Sequence, residues 1–248
     1  MASTSETGHS KNVANLDTLI SFVTSYGTAY NPSRTTIRLA ALQALSTSSK
    51  NSINAVNAAL PAYSNAVAAR EAAFAPVSKL VTRVLNALKA TDTTEQVDDN
   101  ALTLVRKLRG SRATPKLTED EKKALVAEGK ETKEVSSSQM SFDSRIDTID
   151  KLIKLLASIP LYAPNEAELR VATLNTLLAD LRAKNAAVIT ATAPLSNARI
   201  ARNDILYKPI TGLIDTALDA KTYIKSLYGA TSPQYKQISK LEFKTVKP

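Results

Sequence analysis

Asp143, Asp147 and Asp150 stand at i, i+4 and i+7, the spacing that sets three carboxylates on one face of a helix. Two or three carboxylates on a face can ligate a metal, as in di-iron bundles, but those sites add Glu-x-x-His partners that this chain lacks. Acids in the first turns of a helix are also what its dipole favours, and that reading is preferred here. The only histidine, His9, lies in a polar stretch with Ser3, Ser5, Gly8 and Ser10 and reads as part of a disordered tail over residues 1–11. Neither a His-Asp-Ser triad nor a multi-His metal site is expected from it. Residues 92–100, "DTTEQVDDN", lack the order of a calcium loop and read as the cap of a helix beginning near Asn100. Phosphate-binding glycine motifs, GxSxG and HExxH do not occur, and the chain has no cysteine. No catalytic residue, metal or cofactor is therefore expected.

The basic residues are more suggestive. Residues 106–116, "RKLRGSRATPK", carry Arg106, Lys107, Arg109, Arg112 and Lys116 without an acid. A second basic segment has Lys236, Lys240 and Lys244, with Glu242 the only acid and Tyr235 and Phe243 interleaved. Cations near helix C-termini gain from the dipole, so capping and solubility explain them. The sharper reading is a pair of phosphate-contacting patches on a chain of net charge +9.

The elements that position these residues are written twice. "SNAxxAR" occurs at 64–70 and again at 196–202. The match extends back through Tyr30, Pro32, Arg38, Leu42 and Leu45, which recur without a gap as Tyr162, Pro164, Arg170, Leu174 and Leu177. After one inserted residue, Pro76, Leu80, Leu85 and Ala87 meet Pro209, Leu213, Leu218 and Ala220. Apolar positions keep their phase throughout, which identifies an internal duplication. The organisation expected is a tail at 1–11, a helical repeat at 12–110, a polar linker with a short helix at 111–141, and a second repeat at 142–248.

Each repeat reads as short helix, long helix, short helix. Val13, Leu16, Leu19, Ile20 and Val23 form one stripe over 12–26, with Gly27 as a C-cap. Ile146, Ile149, Leu152, Ile153 and Leu156 form its twin over 142–158. Ser33 and Asn165 occupy expected N-cap positions before the long helices. Apolar steps of three and four then run from Leu42 to Leu88 and from Leu174 to Ile224, with Ile210 among the second series. That is the period of a left-handed coiled coil, and a helix of some 50 residues or more would be roughly 80–90 Å long. Pro61 and Pro194 fall within these series, and the unbroken apolar phase favours helices that continue through them. Thr118 and Glu121 make a capping box for a short linker helix near 118–128.

The fold expected is all-α: an elongated helical bundle or coiled coil, its two repeats paired about a pseudo-two-fold axis. Arg38, Ser64, Asn65 and Arg70, with their twins Arg170, Ser196, Asn197 and Arg202, are then candidate polar residues of the repeat seam. Ser and Asn would bond across it, and Arg would ion-pair at the rim. The competing reading makes the four arginines an anion site.

"NDILYKPITGLIDTALDAKTYIKSLYGATSPQYKQISK" and "SNARIARND" resemble an uncharacterised family of predicted bacterial all-helical proteins, over most of the chain. The family has no assigned activity, so the resemblance implies no functional residue.

The function expected is that of a non-enzymatic helical scaffold or interaction protein, with a protein partner or a second copy of itself. The alternative is a nucleic-acid-binding protein using the two basic segments. A third reading is membrane insertion by a toxin-like rearrangement of "AVNAALPAYSNAVAA", but charges recur too soon after it, and no membrane partner is expected. With no apolar signal region and no run of 18 apolar residues, the expected location is cytoplasmic.

Overall fold

A computed structural model describes residues 7–111, 118–127 and 140–246. These residues form helices and connecting turns, with no strand among them. Residues 1–6, Arg112, Lys116, the Glu121 side chain and the Ser-rich piece ending the linker lie outside the described residues.

Helix α1 spans Thr7–Ser25. Residues 7–11 are thus helix and not tail. His9 is only 4% exposed, and its Nδ1 shares a hydrogen bond with the Tyr207 hydroxyl. An imidazole can be buried when it finds such a partner, and its polar neighbours in sequence hid that partner. Gly27 follows α1 at φ 57°, the left-handed conformation that favours glycine after a helix.

The long helices are α2 (Leu39–Phe74) and, later in the chain, α7 (Val171–Tyr207). Between them come α3 (Val77–Lys89), α4 (Glu95–Arg109), α5 (Glu119–Ala127) and α6 (Phe142–Ala157). After them come α8 (Leu213–Tyr228) and α9 (Pro233–Ser239). Pro61 lies inside α2 and Pro194 inside α7, both on exposed positions where the ring meets solvent, so each helix runs through its proline. The longer helices expected from the apolar series are not formed. α2 stops before Pro76, whose φ of −77° and whose carbonyl, accepting the Lys79 and Leu80 N–H groups, start α3, and α7 stops before Pro209. At 36 and 37 residues, the long helices are each about 55 Å in length.

The buried stripe of α2 passes through Leu42, Ser46, Ser49, Ile53, Val56 and Phe74. That of α7 passes through Leu174, Leu178, Leu181, Asn185, Val188, Leu195, Arg202 and Leu206. Steps of three and four run from Leu42 to Val56 and from Leu174 to Val188, and half-buried residues carry the phase on, Leu60, Tyr63, Val67 and Arg70 in α2 and Ala191 and Ala198 in α7. Ser46, Leu178 and Leu206 are buried more deeply than their apolar neighbours Leu45, Leu177 and Ile205, which are half-buried. α4 starts at Glu95 with Thr94 at its N-cap position, so Glu95–Asn100 are its first turns and only residues 92–94 precede it.

The chain divides into two compact units whose bounds differ from those of the repeats expected from the sequence. The first comprises Met1–Ser64 with Ala191–Pro248, and the second Asn65–Thr190. The first unit gathers Val13, Leu16, Leu19 and Val23 of α1 with Leu213, Ala217, Ala220 and Ile224 of α8, Leu42 of α2, Leu206 of α7 and Ile238 of α9. The second gathers Val77, Val81, Val84 and Leu88 of α3 with Val105 and Leu108 of α4 and Ile149, Leu152 and Leu156 of α6, closed by Phe74 and Leu174. Each leucine so buried contributes roughly 1.5–3 kcal/mol. Every unit takes one part of each long helix.

Candidate functional site

The loops before the long helices are built alike. Tyr30 is buried and its hydroxyl donates to the Ile37 carbonyl at 2.7 Å; the Tyr162 hydroxyl donates to the Leu169 carbonyl at 2.9 Å. Burial, with Glu166 adding to it, pushes the Tyr162 phenol up to about 12. Burial, with Tyr223 next, raises Tyr30 too. Arg38 donates from Nε to the Pro32 carbonyl at 3.2 Å and from Nη2 to the Ser33 carbonyl at 3.4 Å. Arg170 reaches the Pro164 carbonyl at 3.3 Å and the Asn165 carbonyl at 2.7 Å. These arginines staple their own loops. Ser33 and Asn165 serve by their carbonyls, and a 3₁₀ turn (Thr35–Ile37 or Ala167–Leu169) separates each from its long helix, so neither caps it.

The "SNAxxAR" residues are split by the heptad phase. Ser64, Asn65, Ser196 and Asn197 are exposed, off the buried stripe. Arg70 and Arg202 fall on the stripe and are drawn inward, Arg70 half-buried and Arg202 buried, where a rim position was expected. In the second unit the Arg70 guanidinium lies 3.8 Å over the Phe142 ring and donates to Asn185 Oδ1 at 3.1 Å. Asn185 in turn donates to Asp143 Oδ1 at 2.8 Å. Arg145 lies over Phe74 at 4.8 Å and donates to its carbonyl, and the two rings meet edge to face at 4.9 Å. Burial lowers the Arg145 pKa. Such cation–ring contacts are worth about 0.5–2 kcal/mol each. In the first unit Arg202 donates from Nε and Nη2 to Asn203 Oδ1 at 3.2 and 3.0 Å. Arg38 and Arg202 belong to one unit and Arg70 and Arg170 to the other, and each is engaged with protein groups.

The three aspartates are likewise engaged. Asp143 accepts from Asn185, Asp147 pairs with Lys151 at 2.6 Å, and Asp150 with Lys154 at 2.9 Å and Arg182 at 3.3 Å. The hydrogen bond from Lys154 is the main cause of Asp150's lowered pKa. Among the described residues no group of three His, Asp or Glu side chains is placed to hold a metal ion. Nor is any described helix long and apolar enough to cross a membrane.

Arg106, Lys107 and Arg109 form the last turn of α4 in the second unit. There Gly110, at φ 67°, and Ser111 cap the carbonyls of Lys107 and Arg106. Lys236, Lys240 and Lys244 are exposed in the first unit, and Lys244 pairs with Glu242 at 2.6 Å.

The clearest outlier is one that apolar counting misplaced. Ile210, expected on the buried stripe, is 68% exposed and holds φ 71°, which a β-branched side chain rarely adopts. Its sequence counterpart Val77 is fully buried in α3. The loop around Ile210 is firmly built. Asp215 accepts the Ile210 N–H at 2.7 Å, and Arg34 donates to the Ile210 carbonyl while pairing with Asp219. The Gly212 N–H donates to the Lys208 carbonyl at 2.8 Å, so close that a Cβ on Gly212 would lie 2.6 Å from that oxygen. The one-residue insertion between the two expected repeats falls earlier, between Arg202 and Pro209, where α7 runs one residue longer than α2, and does not by itself mark this loop.

No known protein family, curated protein or solved structure matches this chain.

Proposed function

We propose that this all-helical chain is a non-enzymatic scaffold or interaction protein, built from two tandem repeats paired about a pseudo-two-fold axis. The matching Tyr30 and Tyr162 bonds, the matching Arg38 and Arg170 staples, and the shared phase of the two buried stripes support the duplication.

The observation that carries the functional reading is Ile210. An exposed isoleucine in the left-handed region costs on the order of 1–3 kcal/mol. The fold offers a relaxed alternative, because Val77 occupies the counterpart position inside a helix. Strain kept at a position held outward by Asp215, Arg34 and Gly212 is what supports contact with a protein partner, since strained residues concentrate at ligand and partner contacts. The charged groups with site-like spacing support the same reading, since they bind loops, rings and one another.

Affinity purification from the cell that makes the protein tests this, comparing wild type with Ile210→Gly. The variant relieves the strain and removes the side chain. A partner recovered with wild type and depleted with the folded variant supports the proposal. Identical recoveries from both refute it.

Nucleic-acid binding through the basic ends of the repeats is the alternative, and gel shifts at two salt concentrations separate it, since phosphate contacts weaken steeply with salt. Small-angle scattering tests the elongated pairing. A radius of gyration near the ~18 Å of a compact chain of this length would count against it.

A further inference from the structure

After Lys240, which closes α9, residues 241–246 form a strap without helix or strand, held by side chains of other elements in the first unit. Asn12 is 3% exposed and makes two bonds to one residue of the strap: its Nδ2 donates to the Lys244 carbonyl at 2.8 Å, and its Oδ1 accepts the Lys244 N–H at 3.1 Å. One turn further along α1, Asn15 Nδ2 donates to the Glu242 carbonyl at 2.7 Å. From α8, Lys221 Nζ donates to the Leu241 carbonyl at 2.7 Å and to the Ser239 carbonyl at 3.1 Å. The α1 backbone approaches Val246 so closely at Gly8 that a Cβ there would lie 2.7 Å from its Cγ2. Burial lowers the Lys221 pKa, yet its ammonium is satisfied by these carbonyls.

All these hydrogen bonds from Asn12, Asn15 and Lys221 go to main-chain groups. The strap's side chains contribute by alternation instead. Leu241 and Phe243 pack on the core of the first unit, while Glu242 and Lys244 are exposed and pair with each other. Main-chain bonds with pockets for alternate side chains are how extended peptides are recognised. The gripping residues belong to this unit alone: at the counterparts of Asn12, Asn15 and Lys221 the other repeat has Arg145, Thr148 and Leu88. There the chain stays helical to Arg109, past the counterpart of Leu241.

We propose that Asn12, Asn15 and Lys221 form a binding site for an extended peptide with apolar side chains at alternate positions, closed in cis by this chain's own residues 241–246. This names a surface for the interaction protein proposed above and rests on that reading. A displaced strap would leave the two asparagines and the seats of Leu241 and Phe243 open to a partner's peptide.

The test uses the full chain and a fluorescein-labelled synthetic peptide of residues 239–248, with binding read by fluorescence anisotropy. The cis strap competes at an effective concentration in the millimolar range, so wild type should bind the peptide weakly. Leu241→Ala/Phe243→Ala should bind it about tenfold more tightly or better. Adding Asn12→Ala should abolish that gain, and a peptide with both apolar residues changed to Ala should not bind. A double variant with wild-type helicity and no gain in affinity overturns the proposal. So does a double variant that dimerises without taking up peptide, which would make a second copy the occupant.

Should the double variant lose helicity, hydrogen exchange on wild type decides. Excess peptide should speed exchange at the Lys244 amide and leave the Leu156 amide unchanged; an unaltered Lys244 amide overturns the proposal. The affinity purification with Ile210→Gly is independent of this peptide, so either reading can fail without the other.

Discussion

Replacing Tyr162 with Phe should produce a stability difference that shrinks and then reverses with pH. At neutral pH the variant loses the 2.9 Å bond to the Leu169 carbonyl and leaves that acceptor inside the second unit, which costs about 1–2 kcal/mol. In the wild type the phenol is pushed by burial from 10.0 to about 12. The folded state therefore favours the neutral form. Its stabilising contribution is complete below pH 10, where the unfolded phenol is also neutral, and is lost as pH rises towards 12. Between those limits the unfolded chain ionises and the folded one does not, so wild type loses stability by roughly one to two kcal/mol per pH unit. The wild-type advantage of about 1.5 kcal/mol should thus vanish near pH 11, and above that Tyr162→Phe should be the more stable protein. Urea unfolding followed by far-UV circular dichroism from pH 8 to 12 measures the difference. Lysines titrate in the same range in both proteins and cancel. A gap that stays constant from pH 8 to 12 refutes the reasoning, as does a 295 nm titration in which the substitution removes no late-ionising phenol.

Ile210→Gly should raise stability by about 1 kcal/mol and the melting temperature by about 2–4 °C, because glycine adopts φ 71° without strain and the lost side chain was mostly in water. Scanning calorimetry checks it. Leu88→Ala and Leu213→Ala each empty a fully buried site and should each cost about 2–5 kcal/mol. Hydrogen exchange should localise the first loss to α3, α4 and α6 and the second to α1, α8 and α9.

Leu16, Leu19, Ile149 and Leu152 show how the all-helical class was legible in the sequence, since their spacing fits a helix face and no strand. The long helices were legible in phase but not in extent. Pro61 and Pro76 look alike in composition, but only Pro76 begins a helix, with α2 ending just before it. Polar members of the stripes were not legible, because Ser46, Asn185 and Arg202 occupy core positions that apolar counting assigns to neighbours. His9 was misread for the same reason: its partner Tyr207 is remote in sequence and supplies what its polar neighbours do not. The division into units was hidden as well, because each core draws on residues from both halves of the chain. The strap was invisible because Asn12 and Asn15 bind main-chain atoms, which every sequence carries.

The central claim is that Ile210 is held outward to meet a protein partner, and photo-crosslinking from that position tests it most directly. A photoreactive residue in place of Ile210, irradiated in the cell that makes the protein, should yield a discrete covalent adduct with another protein. The same residue placed at exposed Leu161, in the other unit, should yield none. An adduct from Leu161 but not from position 210, or the same unselective adducts from both, would contradict the account.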